Sequence, residues 1–205
     1  MSKTNTLTSK LAETFADVIS GVDSTIGENR DYGSGIGPHD EDDQIDALVY
    51  ASQSEFEPSV STAKSDPAKV SYPSGQSGDI LIESPERTEF CEVKLLRFQK
   101  ANGNPSFYGY SKVFSPYQDN SPRSFIHDVV KLAEADVRAT KTLLGIYYQP
   151  PKGAGATIQG EDIAEKFASD TDRWTNYSIS VDAVVPFSDL QHEVYSRGAI
   201  LTWSP

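Results

Sequence analysis

The segment from Gly78 to Lys94, GDILIESPERTEFCEVK, contains two apolar runs separated by polar turn residues. The first run, GDILIES, is rich in branched side chains, which favour a buried β-strand. The second run follows the SPER turn and alternates with the period of a strand. One face of that strand carries Phe90, Glu92, Lys94 and Leu96, and the other carries Cys91, Val93 and Leu95. The pattern predicts a β-hairpin to which the other elements must be fitted.

The hairpin places charged side chains where a strand is expected to be buried. Glu92 and Lys94 are two residues apart and therefore point the same way. Asp79 opens the neighbouring strand, so the hairpin can bring its carboxylate beside that of Glu92. Adjacent carboxylates raise each other's pKa unless a cation lies between them, and Mg²⁺ (or Mn²⁺) is a cation that suits oxygen ligands and phosphate. Lys94 would orient or deprotonate a water molecule, which predicts metal-assisted phosphodiester hydrolysis.

A simpler interpretation of the same residues has no catalytic content. Glu92 and Lys94 could form an ion pair on a solvated strand face, with Asp79 as a turn residue. The apolar neighbours Phe90 and Leu96 on that face weigh against it, because charges among apolar side chains are costly unless paired or bound to metal.

The remainder of the chain alternates between helical and strand patterns. Helices are expected over residues 5–20 and 40–53, the latter with acidic residues in its first turn. A short strand is expected near Val60 or Val70, and the stretch FYGYSKVFSPYQ is interpreted as a further strand. SPRSFIHDVVKLAEADVRATK predicts an amphipathic helix with Ser121 as N-cap, Pro122 at its first position and Val137 still on its apolar stripe.

The C-terminal part continues this alternation. Strands are expected at TLLGIYYQ, YSISVDAVVPF and AILTW, with a short helix at EDIAEKFAS. The fold class is therefore mixed α/β, a central β-sheet flanked by helices, in a single domain over residues 1–205.

Charge is unevenly distributed along the chain, whose net charge is -12. Residues 94–141 contain eight basic and four acidic side chains and are the only net-positive segment, whereas residues 1–93 contain six basic and eighteen acidic ones. Arg97, Lys100 and Lys112 lie around the aromatic stretch and are candidate phosphate contacts. Arg123, Lys131 and Arg138 are interpreted as a solvated helix face.

Other features of the chain point to a protein of the cytoplasm. It contains no run of eighteen apolar residues, so no membrane span is expected, and the N-terminus lacks the apolar middle of a signal peptide. The single cysteine, Cys91, cannot form an internal disulfide. A cytoplasmic location is therefore the expectation.

Asp79, twelve intervening residues, and then Glu92-Val93-Lys94 resemble the signature of the PD-(D/E)xK nuclease superfamily, which has the restriction-endonuclease-like fold. The resemblance covers roughly residues 38–149 and departs from the family at Gly78, where a proline often stands. It leaves residues 5–20 as an N-terminal helix and 150–205 as a C-terminal extension.

The resemblance also implies roles for these residues. Asp79 and Glu92 would be metal ligands, and Lys94 would position the nucleophilic water. A further acid would come from the preceding helix, for which Glu41 is chosen over Asp42 and Glu28.

Three functions stay open at this point. The first is a Mg²⁺- or Mn²⁺-dependent nuclease acting on DNA in restriction, repair or defence, possible as a homodimer or within a protein complex. The second keeps the nuclease-like fold without activity, as a binding or structural subunit. The third is an acidic protein-binding module or DNA mimic, which the net charge of -12 would favour.

Overall fold

The computed structural model describes residues 6–29, 33–72, 75, 77–116, 124–151 and 158–205. Its helices are α1 (Leu7–Thr25), α2 (Glu41–Ser52), α3 (Phe107–Phe114), α4 (Phe125–Glu134) and α5 (Gly160–Trp174). Its strands are β1 (Glu28–Asn29), β2 (Gly33–Ser34), β3 (Ser59–Thr62), β4 (Ile80–Glu83), β5 (Thr88–Arg97), β6 (Thr140–Tyr148), β7 (Ser180–Phe187) and β8 (Gly198–Ser204).

Six of these strands form one mixed sheet in the order β3-β4-β5-β6-β8-β7. β5 and β6 are parallel, and the other neighbours in the sheet are antiparallel. The hairpin of β4 and β5 is confirmed, with Ile80 opposite Cys91 and Glu83 opposite Thr88. The predicted fold class, a mixed sheet flanked by helices, is also confirmed.

The alternation of β5 divides the interior into two apolar layers. Cys91, Val93 and Leu95 pack in one layer with apolar side chains of α1 and α2. Phe90 and Leu96 belong to the other layer, which contains residues of α3, α4 and α5. Both faces of β5 are therefore covered. The side chains of Glu92 and Lys94 project from this largely buried strand toward the layer that contains Phe90 and Leu96.

The aromatic stretch FYGYSKVFSPYQ was predicted as a strand, and this prediction is wrong. Residues Phe107–Phe114 form α3, whose N-cap Ser106 accepts a hydrogen bond from the Gly109 amide at 3.0 Å. Tyr110 and Phe114, four residues apart, both pack on Phe98, with ring centroids 5.9 and 5.8 Å away. Residues four apart share a face both in a helix and in a strand, so this contact alone does not distinguish the two. The hydrogen bond to the Ser106 side chain stabilises the helix.

The boundaries of the predicted amphipathic helix also differ from expectation. Ser121 and Pro122 lie outside the described residues, and Ser124 is the N-cap of α4 in a capping box with His127. The helix ends at Glu134, so Val137 does not continue its stripe. Lys141 Nζ donates to the Ala133 carbonyl at 2.8 Å, which satisfies one of the open carbonyls at the C-terminal end.

A buried carboxylate on β5 holds the N-terminus of α1 against the sheet. Glu89 is 0% exposed, and its carboxylate accepts hydrogen bonds from the amides of Leu7 and Thr8, both at 2.9 Å. The Thr8 hydroxyl donates to the same carboxylate at 3.0 Å, and Arg87 Nε lies 3.4 Å from it. The amides at a helix N-terminus lack partners within the helix, so Glu89 supplies both hydrogen bonds and a favourable charge there.

None of the helices in the described ranges combines the length and the apolar character that crossing a lipid bilayer requires.

Candidate active site

The predicted site residues meet at a notch where β4 begins and β5 continues past it. β4 pairs with β5 over Thr88–Cys91, whereas β5 extends to Arg97. Two carboxylates accept hydrogen bonds from this continuing backbone. Asp79 Oδ2 accepts from the Val93 amide at 2.7 Å, and Glu41 Oε2 accepts from the Leu95 amide at 2.6 Å. The edge of β5 thus positions one acid from the hairpin and one from α2 side by side.

The hairpin register brings Asp79 next to Glu92. Because Ile80 lies opposite Cys91, the preceding residue Asp79 falls opposite Glu92 on the same face of the sheet. Burial and the neighbouring Glu92 charge raise the pKa of Asp79 to about 7, and the Val93 amide only partly offsets them.

Glu92 has partners that the sequence did not indicate. Its side chain is 1% exposed, and Lys131 Nζ of α4 lies 2.6 Å from Glu92 Oε2. The Tyr72 hydroxyl donates to Glu92 Oε1, and Lys131 Nζ also donates to the Ser77 carbonyl at 3.2 Å. The interpretation of Lys131 as part of a solvated face is therefore wrong. Burial raises the pKa of Glu92, although Lys131 and Tyr72 act in the opposite direction.

Lys94 lies between two acids. Its Nζ is 3.0 Å from Asp128 Oδ2 of α4 and 3.5 Å from Glu41 Oε1 of α2. Burial lowers the pKa of Lys94, but the charges of Asp128 and Glu41 outweigh it and raise the pKa well above the ordinary value. Lys94 therefore stays protonated at neutral pH and can donate hydrogen bonds, but it cannot act as a base.

The cluster contains more negative than positive charge. When all groups are ionised, the four carboxylates of Glu41, Asp79, Glu92 and Asp128 exceed the ammonium groups of Lys94 and Lys131 by two charges. Burial raises the pKa of Glu41 as it does for Asp79 and Glu92. Excess anionic charge held in a buried place is the condition under which a divalent cation binds favourably.

Asp128 is the fourth carboxylate of the cluster. Its side chain is largely buried, 6% exposed, and the 3.0 Å approach of Lys94 Nζ to Asp128 Oδ2 is a charge-assisted contact. In the described part of the chain, however, no three His, Cys, Asp or Glu side chains stand in an arrangement ready to hold a metal ion. A cation would therefore require the ion pairs of Lys94 or Lys131 to rearrange.

The other predicted residues fall in different places. Of the rival acids, Asp42 is exposed on α2, and the exposed Glu28 accepts a hydrogen bond from the Ser34 hydroxyl at 3.4 Å, whereas Glu41 contacts Lys94. Arg97 Nη1 donates to the carbonyls of Gly37 at 2.9 Å and His39 at 3.1 Å, so it holds that loop against β5.

The two predicted phosphate-binding lysines lie beyond the cluster. Lys100 is exposed in the turn that precedes α3, and Lys112 Nζ lies 4.9 Å from the centre of the Tyr108 ring on α3. Lys100 thus precedes α3 and Lys112 lies on it, whereas Lys94 and Lys131 contact the carboxylates of the cluster.

Asp128, Lys131 and Tyr72 are the members of the cluster that sequence reasoning did not find. A signal for Asp128 was present, since Phe125 three residues before it and Leu132 four residues after it are apolar and lie on the buried side of α4. Lys131 follows at i+3 from Asp128, where the two side chains are neighbours. Tyr72 belongs to a segment without periodicity, and only folding brings it to Glu92.

The raised pKa of Asp79 predicts how stability depends on pH in the absence of divalent cations. The folded chain keeps this proton between the ordinary pKa of 3.8 and about 7, while the unfolded chain loses it. The associated stability is fully present below pH 3.8 and is lost as the pH rises through 7. In urea unfolding with EDTA, we expect wild type to lose up to about 4 kcal/mol more than Asp79→Asn across this range.

The exposed Asp136 supplies a matched control for that comparison. Asp136→Asn makes the same chemical change on an exposed side chain, so its stability should differ from that of wild type by less than about 0.5 kcal/mol at each pH. Parallel curves for wild type and Asp79→Asn would show that folding does not raise the pKa of Asp79.

Comparisons with known proteins identified no relative of the chain. A scan against protein-family models, a search of curated proteins and a search of solved structures each found no match for the chain. The resemblance to the PD-(D/E)xK nucleases therefore stays a prediction that depends on the residues of the cluster and on their spacing.

Proposed function

We propose that the chain is a metal-dependent nuclease that hydrolyses phosphodiester bonds in DNA. The observation that carries the proposal is the meeting of Asp79, Glu92, Glu41 and Lys94 at one notch, where carboxylates outnumber lysines by two when all groups of the cluster are ionised. Two carboxylates and a lysine near a phosphate are the components that such hydrolysis requires.

The proposed role of each residue follows from its charge. Asp79, Glu92 and Glu41 would hold Mg²⁺ or Mn²⁺, which when bound polarises the phosphate and lowers the pKa of water. Lys94, kept protonated by its acidic neighbours, orients the attacking water by donating to it and stabilises negative charge that develops on the phosphate. Asp128 and Lys131 act through their neighbours, since Asp128 holds Lys94 and Lys131 holds Glu92.

The activity is tested with supercoiled plasmid and with linear DNA and RNA, each with Mg²⁺, with Mn²⁺ and with EDTA. We expect metal-dependent cleavage of DNA, with a loss of about 10²–10³-fold in Lys94→Met and in Asp79→Asn. Lys64→Met is the matched control. Lys64 is half-exposed, and its Nζ pairs with Asp43 Oδ1 at a distance of 2.7 Å, outside the cluster. Circular dichroism establishes that each variant is folded.

Metal binding gives a second readout that does not depend on finding the right substrate. Mn²⁺ should raise the melting temperature of wild type and leave that of Asp79→Asn unchanged, since a ligand that binds only the folded state stabilises it. Absence of both cleavage and a melting shift in folded wild type would refute the proposal.

One observation favours a second candidate, a nuclease-like fold without activity that serves as a binding or structural subunit. Glu92 is paired with Lys131, and Lys94 is paired with Asp128 and Glu41, so these charges are balanced in part without metal. For this candidate, Asp79→Asn and Lys94→Met would change stability and leave the biological effect of the protein intact.

A further inference from the structure

α3 exposes two large aromatic rings at consecutive positions. Phe107 is 86% exposed and Tyr108 59%. Tyr110 is 45% exposed but packs on Phe114 and Phe98, with ring centroids 4.8 and 5.9 Å away. Neighbouring exposed aromatic side chains on one helix are typical of an interaction surface. We call Phe107 and Tyr108 the aromatic face.

Two lysines accompany the aromatic face. Residues 94–118 contain four basic residues and no acidic one, and two of the four, Lys94 and Arg97, are engaged by the cluster and by the loop carbonyls. Lys112 Nζ lies 4.9 Å from the centre of the Tyr108 ring, and Lys100 is exposed in the turn that leads into α3. The charge complements a polyanion that has flat apolar groups.

α3 lies on the face of the sheet to which Glu92 and Lys94 point. Phe98 continues the alternation of Glu92, Lys94 and Leu96 along the chain, and its ring packs on Tyr110 at 5.9 Å. A Cβ on Gly109 would lie 2.0 Å from the Arg97 carbonyl, so only glycine lets α3 approach the end of β5 this closely. Phe98 is four residues beyond Lys94, about 13 Å along a strand.

We propose that the aromatic face is a stacking platform for unpaired nucleotides of a single-stranded nucleic acid, with Lys100 and Lys112 contacting its phosphates. Bases that are not paired expose their flat faces and stack on aromatic side chains without regard to sequence, whereas those of a duplex already stack on one another. That this single-stranded nucleic acid is a substrate depends on the proposed nuclease function. In that function, the platform selects single-stranded or frayed DNA for the notch.

The test measures binding in EDTA, where no cleavage occurs, by fluorescence anisotropy of labelled oligothymidylate, oligouridylate and a DNA duplex of equal length. Wild type should bind oligothymidylate more tightly than the duplex. The double variant Phe107→Ala/Tyr108→Ala should weaken this binding about 10- to 100-fold with an unchanged melting temperature, because both rings are exposed. Lys112→Ala should reduce the slope of log affinity against log salt by about 0.7.

Tyr50→Ala is the matched control, since Tyr50 is 76% exposed on α2 and should not affect binding. Equal affinity of wild type and the double variant, or a preference for the duplex, would overturn the platform. The platform would also be overturned if wild type forms a dimer at high protein concentration and the double variant does not. The aromatic face would then be a contact between two copies of the chain. Stronger binding of oligouridylate than of oligothymidylate would keep the platform and make RNA its strand.

The outcomes for the two proposals can be told apart. Binding is measured in EDTA and cleavage in Mg²⁺ or Mn²⁺, so the two readouts are separate. Binding without metal-dependent cleavage refutes the nuclease and keeps the platform, whereas cleavage that is indifferent to the double variant keeps the nuclease and refutes the platform.

Discussion

Replacing Glu89 with alanine is expected to lower the free energy of unfolding by about 3–5 kcal/mol. The carboxylate is 0% exposed and accepts three hydrogen bonds, from the Leu7 and Thr8 amides and from the Thr8 hydroxyl. Alanine would leave buried donors without acceptors and would remove a negative charge from the N-terminus of α1. Urea unfolding monitored by circular dichroism measures the difference.

Two further variants separate the causes of this loss. Glu89→Gln keeps an acceptor but brings an amide group toward the donors of α1, so we expect an intermediate loss of about 1–3 kcal/mol. Glu86→Ala in the exposed hairpin turn should change stability by less than about 0.5 kcal/mol. If Glu89→Ala is no more destabilising than Glu86→Ala, the carboxylate does not anchor α1.

Lys131→Met is expected to be comparably destabilising, by about 3–5 kcal/mol at neutral pH. Methionine retains much of the side-chain length but leaves Glu92, 1% exposed, with the Tyr72 hydroxyl as its remaining partner in the cluster described above. The pKa of Glu92, already raised by burial, should rise further. Stability that depends on a raised carboxyl pKa is fully present below the ordinary pKa of 4.5 and is lost as the pH rises through the raised pKa, so the loss should shrink as the pH is lowered.

A double-mutant cycle tests whether the loss comes from the ion pair. Glu92→Gln in the Lys131→Met background should recover part of the stability, since it removes the unpaired charge. Lys69→Met serves as control, because its side chain is 53% exposed and its contacts to Asp66 and Glu83 are 3.9 and 3.8 Å long. Additive effects of Lys131→Met and Glu92→Gln would contradict a direct interaction between the two side chains.

The hairpin and its two faces were predictable because the information is local. The period of two along β5 separates Cys91, Val93 and Leu95 from Glu92 and Lys94 whatever packs against them. The proximity of Asp79 to Glu92 also follows from the hairpin, since the turn length sets the register that pairs Ile80 with Cys91.

α3 shows why a local pattern can be misleading. Aromatic residues are enriched in strands, so the sequence of alternating aromatic and small residues favoured a strand. The Ser106 cap and the contacts of Tyr110 and Phe114 with Phe98 instead stabilise a helix. Burial of Phe114 and close packing of Gly109 on Arg97 depend on β5, which lies outside the segment itself.

The sequence by itself determined the alternation of the hairpin, the class of the fold and the spacing of Asp79, Glu92 and Lys94, since each depends on residues close together in the chain. Only the tertiary structure decided which other charges join them. Glu41 and Asp128 flank Lys94, and Lys131 pairs with Glu92, because α2 and α4 pack on opposite sides of β5. Packing between distant segments sets the balance of buried charge, and no local period encodes it.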